Sequence, residues 1–367
     1  MWWLISRQKR DGSWGEKTEQ DTDRLVTTCQ VVTLLMDSGV NPSSSTIRKA
    51  VNFLSRPEWR NYDVGHFTSY WRIEPFSRLM NYYPDLRAEA DAELAELTKS
   101  VKQGRSPGHT FTLPLFALKC HFLLGKQNDT PAINMIVEKA INDSWVDKNQ
   151  CFSDRADMTS MAITWLPQVL WPTNVAVLQS DILQSCTNYI VSKATTTEHG
   201  TSWNNGFIAP TDYVSINFSE AVNKHTEIAA LLPGVKKYLL SRQNKKGFWH
   251  RTEGERSPIV QSKEYYTAIT LRALLDIIKP DHPYVSPHLW SRQAEKYWRF
   301  SKVLTRLATT LSVIGLIYGL FTFLTLIIPN YFASPKAARY ESLVLGLLGA
   351  VSFFELVYTN ITKSKSK

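Results

Sequence analysis

The feature that most limits how this chain folds is a repeated helix–loop–helix phrase. Residues 5–15 read ISRQKRDGSWG and residues 240–250 read LSRQNKKGFWH, with five of eleven positions identical. Each phrase leads through a polar loop into an apolar run, VTTCQVVTLLMDSG in the first case and YYTAITLRALLDII in the second. Weaker copies lie between them. AVNFLSRPEW precedes FTSYWRIEPFSRLM, EKAINDSW precedes DMTSMAITWLPQVL, and CTNYIVSKATTTEHGTSW precedes YVSINFSEAVNKHTEIAALL. A sixth copy, without the Trp, runs from AELAELTKSVKQG to FTLPLFALKCHFLLG. Trp14, Trp59, Trp145, Trp203 and Trp249 mark the loops, at a period of roughly 45 residues. Neither helix of such a unit can bury its apolar stripe alone, so neighbouring units must stack. Six units can close on themselves, which removes the exposed ends of an open solenoid.

The segments QKRDGSWG and QNKKGFWH resemble the Gln-Trp repeat of the prenyltransferase and squalene-cyclase superfamily. The resemblance covers residues 1–280 and implies an all-α fold, an (α/α)6 toroid of six inner and six outer helices. That fold serves terpene cyclases, protein prenyltransferase subunits and non-catalytic domains alike, so it does not fix a function. It also implies that the inner helices start at one mouth of the ring, where their N-termini favour an anion such as diphosphate. The polar residues opening those helices are Asp21, Asp23, Thr68, His109, Asp154, Asp157, Asp212 and Glu264.

Asp21-Thr22-Asp23-Arg24 resembles the Asp-rich motif of the class II terpene cyclases. Carried over, Asp23 is the catalytic acid and Asp21 its partner. Arg24 stands where the family has a third Asp, and a cation beside Asp23 would hold it ionised, the wrong state for an acid. The second helical domain that completes the cyclase pocket is also missing. The ordinary alternative is that Asp21 or Thr22 caps the helix and Arg24 is solvated. Asp154 and Asp157, three residues apart, are expected to share a helix face; they would suit diphosphate with magnesium, although acids at helix starts also arise from the dipole alone. His109 and Glu264 complete this candidate ligand-binding mouth. Magnesium belongs only to the isoprenoid-enzyme reading, and no other cofactor or metal is expected. The four cysteines show no CxxC spacing, Cys29 and Cys120 read as buried reduced thiols, and His121 reads as a core or rim histidine.

Residues 307–329 form a stretch of 23 without a charge, and residues 342–361 form a second of 20 interrupted only by Glu355. As helices each spans a bilayer core of about 30 Å. The chain therefore divides into a toroid (1–280), a basic amphipathic connector (281–306), a transmembrane hairpin (307–361) and a basic tail (362–367). Arg292, Lys296, Arg299, Lys302 and Arg306 precede the first span and Lys363, Lys365 and Lys367 follow the second. The positive-inside bias puts the toroid and both termini in the cytoplasm, at a bacterial inner membrane. Arg306 at the entry and Glu355 within the second span are the residues through which the hairpin would act, because an intramembrane carboxylate demands a partner or water. A pore-forming hairpin and a simple anchor both fit.

The net charge is +9, with ten Lys/Arg against three Asp/Glu from Pro287 onward and 32 against 30 before it. On that near-balance no basic patch and no nucleic-acid partner are expected of the toroid. The expected partners are the lipid bilayer, a protein or a small hydrophobic or anionic ligand in the toroid, and further copies of the chain through the hairpin. The favoured reading is a non-catalytic toroid, a sensing or protein-interaction module coupled to the hairpin, as in a membrane-disrupting effector of a bacterial defence system. The alternatives are a membrane-bound isoprenoid cyclase or prenyltransferase using Asp23, and a tethered scaffold.

Overall fold

A computed structural model describes residues 1–16, 22–60, 70–104, 113–146, 148–170, 179–204, 207–220, 225–252 and 262–278. The predicted hairpin, its connector and its tail lie outside them, and all described residues belong to one unit, Met1–Arg292. Among the described residues no helix is long and apolar enough to cross a membrane.

Six helices alternate with six others along the chain. The outer set is α1 (Trp2–Ser6), α3 (Ser45–Leu54), α5 (Asp85–Lys102), α7 (Thr130–Ser144), α9 (Gln179–Ser192) and α11 (Leu232–Ser241). The inner set is α2 (Thr22–Asp37), α4 (Ile73–Leu79), α6 (Leu113–Leu123), α8 (Ala156–Leu170), α10 (Ile208–Glu220) and α12 (Lys263–Ile278). The sequence separates the two sets. α3 buries Ile47, Ala50, Val51 and Leu54 on one side and exposes polar residues on the other, as a helix with one wet face must. α6 is buried without a break from Leu113 to His121, and its apolar residues cover the whole circumference. A helix hydrophobic all round needs neighbours on every side. Each inner helix packs on the next, and α12 returns onto α2, so the ring closes as an (α/α)6 toroid.

In four of the six units the repeated Trp caps the end of the outer helix ahead of the inner helix that follows. Trp14, Trp59, Trp203 and Trp249 donate their indole N–H to the carbonyls of Leu4, Phe53, Ile190 and Leu239, at 2.6 to 2.8 Å. Each acceptor lies near the C-terminal end of an outer helix, where carbonyls lack an intrahelical partner. The backbone N–H of Trp14, Trp203 and Trp249 in turn reaches the hydroxyl of Thr28, Thr211 and Thr267 on the next inner helix. Phe152 makes the same bond to Thr159. In the fourth unit the structural counterpart is therefore Phe152, on the short hairpin Trp145–Val146/Cys151–Phe152, and Trp145 instead packs edge-on against it.

Repeats one and six also share their turn. Lys9 N–H bonds the Ser13 carbonyl and Asn244 N–H bonds Phe248, while Gln8 and Gln243 side chains donate to the carbonyls of Gly12 and Gly247. Both glycines are left-handed, with φ of 93° and 82°. At Gly12 a Cβ would also meet the Lys49 carbonyl at 2.0 Å, so nothing larger fits there.

Candidate functional site

Inner helices meet at the ring's centre, and several of the side chains they aim inward are charged. Arg272 on α12 bonds Glu74 of α4 at 2.6 Å, Glu220 of α10 at 3.1 Å and Asp37 of α2 at 3.3 Å. Lys119 of α6 bonds Glu74 at 3.1 Å and Glu220 at 3.4 Å. Arg78, one turn beyond Glu74, reaches Asp37 at 3.2 Å. Three cations and three carboxylates from five inner helices thus compensate one another. Burial pushes the Glu74 carboxyl up, but Arg272, Lys119 and Arg78 outweigh it and hold it well below the usual carboxylate range. A fourth carboxyl, Asp276, lies one turn past Arg272; burial and the charges of Glu220 and Asp37 outweigh the pull of Arg272 and raise it to about 7.

This network floors a cleft. Its walls are Trp71 and Phe116, with ring centroids 5.5 Å apart, together with Met158, Met161, Tyr213 and Ile216. The Tyr213 hydroxyl shares a 2.7 Å hydrogen bond with Tyr265. Asp157, at the start of α8, takes two bonds from Arg155, at 3.0 and 2.5 Å. Asn217 donates to the Ser160 hydroxyl at 2.9 Å, and Thr164 donates to the Asn217 carbonyl at 2.8 Å, so α8 and α10 are stitched together along the wall. The cleft encloses about 420 Å³ measured out to solvent.

The residues singled out in the sequence do not converge on this cleft, apart from Asp157. Asp21 and His109 lie outside the described residues, as do Arg306 and Glu355. Asp23 is buried in the first turn of α2, where it accepts a 3.0 Å bond from Thr27, whose hydroxyl also meets Ser262 at 2.9 Å across the ring closure. It does not line the cleft. Arg24, expected beside Asp23 or in solvent, is buried. It pairs with Asp11, bonds the Ser13 hydroxyl and lies over the Phe53 ring at 5.3 Å. The cation therefore serves the Gly-Trp turn.

Asp154 and Asp157 do not share a helix face. Asp154 precedes α8 in a left-handed turn with φ of 52°, and it is exposed. It accepts from Asn149 and from the Tyr189 hydroxyl, both at 3.0 Å. Glu264 is buried and pairs with Arg7 at 3.0 Å, closing the first unit onto the last. Cys29 and Cys120 are buried free thiols, and burial pushes both far up. The His121 ring meets the Thr98 hydroxyl at 2.9 Å, and burial pushes it down. Among the described residues no group of His, Cys, Asp and Glu is arranged to hold a metal ion.

Sequence reasoning missed Glu74, Lys119 and Arg272. The available signal was a charge inside an otherwise apolar inner helix, Lys119 within LPLFALKCHFL and Arg272 within TAITLRALLDII. On a helix buried all round, such a charge needs a partner from another helix.

No protein-family model matches the chain, and no curated protein matches it. A solved structure is similar in fold: the GH76A alpha-1,6-mannanase from Salegentibacter sp. HEL1_6, at 12% identity and a TM-score of 0.52. The match covers 75% of this chain and 97% of that one. At that identity the likeness concerns the helical toroid alone.

Proposed function

We propose that the chain is a membrane-anchored, non-catalytic toroid, a sensing or protein-interaction module whose output is the hydrophobic hairpin predicted over 307–361. The observation that carries this reading is the mutual compensation of charges at the ring's centre. An acid–base catalyst keeps a group near its working pKa in reach of substrate. Here Arg272 and Lys119 hold Glu74 ionised, Arg155 donates to Asp157, and Asp276, the carboxyl raised to about 7, is not among the described residues that line the cleft.

The same facts weigh against two catalytic readings. A class II cyclase acid must reach an alkene in the cavity, and Asp23 is not among the described residues that line this cleft. Glycoside hydrolysis, the activity named for the mannanase, uses two carboxyl groups, one of them a protonated acid. The two carboxyls lining this cleft, Glu74 and Asp157, both face cations.

Inducible expression tests the proposal. Triggered full-length chain is expected to collapse the membrane potential reported by a voltage-sensitive dye, and a chain truncated at Ser301 is expected to leave it intact. Equal phenotypes for the two would refute the coupling to the hairpin, and an intact potential under every inducer tried would leave the scaffold reading in its place. Incubation with prenyl diphosphates and squalene supplies the other arm: a product lost in Asp23→Asn would establish the enzyme reading instead.

A further inference from the structure

The near-equal charge totals of the toroid conceal a cluster. The first and last repeats carry the related phrases SRQKRDGSW and SRQNKKGFW, and ring closure sets the helix before the first phrase against the turn of the last. Trp3 stacks on Phe248 at 5.0 Å, Arg7 lies over Trp3 at 5.9 Å and pairs with Glu264, and the Lys263 ammonium sits over Phe248 at 5.6 Å. Lys9 and Arg10 follow Arg7 by two and three residues, Lys245 and Lys246 precede Phe248 by three and two, and the side chains of all four, with Arg242 and Lys263, are exposed. The acids of the two turns are spent elsewhere: Asp11 on Arg24, Glu264 on Arg7. No carboxylate among the described residues pairs with Lys9, Arg10, Lys245 or Lys246. A motif that is mildly basic once becomes a focused positive surface when ring closure sets two copies side by side.

We propose that this seam is a docking surface for anionic lipid headgroups. The inference rests on the membrane-anchored reading above. Charge complementarity favours an anionic partner, and the chemistry around the charges favours a bilayer over a nucleic acid. Trp3 and Phe248 are half-buried rings flanked by long basic side chains, the composition that settles at a headgroup layer. A protein already tethered to the leaflet meets it at high effective concentration, so a few cations suffice. Each basic residue near an anionic leaflet strengthens binding about fivefold, and the effect fades within a Debye length.

Lysine acetylation footprinting tests this on the full-length chain in nanodiscs. One set contains phosphatidylcholine alone and the other about one-third phosphatidylglycerol. In the anionic discs Lys9, Lys245, Lys246 and Lys263 are expected to acetylate at least about threefold more slowly, while Lys102, exposed on α5 across the ring, keeps its rate. Raising salt from about 0.1 to about 0.5 M shortens the Debye length from about 10 to about 4 Å and should erase the difference. In the quadruple variant Lys9→Gln, Arg10→Gln, Lys245→Gln, Lys246→Gln, Lys263 should react equally in both discs. Equal rates in wild type overturn the docking surface while leaving the anchor intact. Failure of the chain to enter nanodiscs overturns the anchor instead, and with it the proposal. Slowing by a duplex DNA or RNA oligonucleotide, but not by phosphatidylglycerol, overturns it in favour of a nucleic-acid surface.

Discussion

Replacing Arg272 by Met should destabilise the toroid more than any other single change at the ring's centre. The guanidinium touches Glu74, Glu220 and Asp37 and is itself only 3% exposed. Methionine fills much of the same volume, so the loss is electrostatic: the three carboxylates lose the one cation that touches all of them and keep Lys119 and Arg78 beside them. Removing one member of a buried ionic network costs about 3–5 kcal/mol, because the charge left behind has neither water nor a counterion. For a domain of this size that corresponds to a fall in Tm of about 10 °C, taking roughly 2–4 °C per kcal/mol. The loss should shrink in acid. Glu74 in the wild type is held below its ordinary value, so its pairing stabilises the fold above pH about 4.5 and this contribution fades as pH falls below that. Thermal unfolding of wild type and Arg272→Met at pH 7 and at pH 4 should therefore show the larger gap at pH 7. The double variant Arg272→Met, Glu74→Gln should recover at least about 1 kcal/mol relative to the sum of the singles, since removing both charges leaves less unpaired. A Tm within about 2 °C of wild type, or strict additivity in the double variant, would refute the claim that this network holds the inner ring.

Asp276→Asn should act in the opposite direction. The wild-type carboxyl is raised to about 7, so folding favours its protonated form and stability is lost as pH rises from the ordinary carboxylate range toward 7. The amide escapes that loss, giving a gain on the order of 2 kcal/mol at pH 8, discounted for partial exposure, and none near pH 3.5; urea titrations at the two pH values measure it. Trp249→Phe should cost about 2–3 kcal/mol by the same assay, because it removes the 2.7 Å bond to Leu239 and leaves a buried carbonyl short of a donor. Gly12→Ala and Gly247→Ala form a matched pair. Both glycines have positive φ, but only Gly12 presses on a neighbouring carbonyl, so Gly12→Ala should cost more than about 3 kcal/mol and Gly247→Ala about 1 kcal/mol. Similar Tm values for the two alanine variants would contradict the close approach at Lys49.

The toroid was legible because its determinants are local and repeated. A Trp two residues after a left-handed Gly fixes the turn, and its indole N–H seeks the open carbonyls at the end of the preceding helix. That single contact recurs at Trp14 and Trp249, where the sequence match is strongest, and at Trp59 and Trp203, where it is weak. The misassigned landmark at Trp145 shows the limit of reading by residue type. The position demands a large ring whose backbone N–H faces the Thr of the next helix, and Phe152 meets that demand from a hairpin seven residues later.

The site was far less legible, because its partners are distant in sequence. Arg272 and Glu74 lie 198 residues apart and meet only when the ring has closed. Their spacing carries no local signal, whereas Asp21-Thr22-Asp23-Arg24 offered one that the fold does not use as expected. Arg24 finds Asp11, thirteen residues back, because the Gly-Trp turn folds Asp11 and Ser13 onto the first turn of α2. Net charge says nothing of placement for the same reason. A total of 32 basic and 30 acidic side chains before residue 287 reports balance only if both signs are spread alike. Among the described residues Glu74, Asp157 and Glu264 are buried against cations, while Lys9, Arg10, Lys245 and Lys246 are exposed on the first and last repeats. A closed repeat fold sums its surface over units adjacent in space. The first and last repeats, farthest apart along the chain, are therefore where a weak charge bias in the motif becomes a strong one.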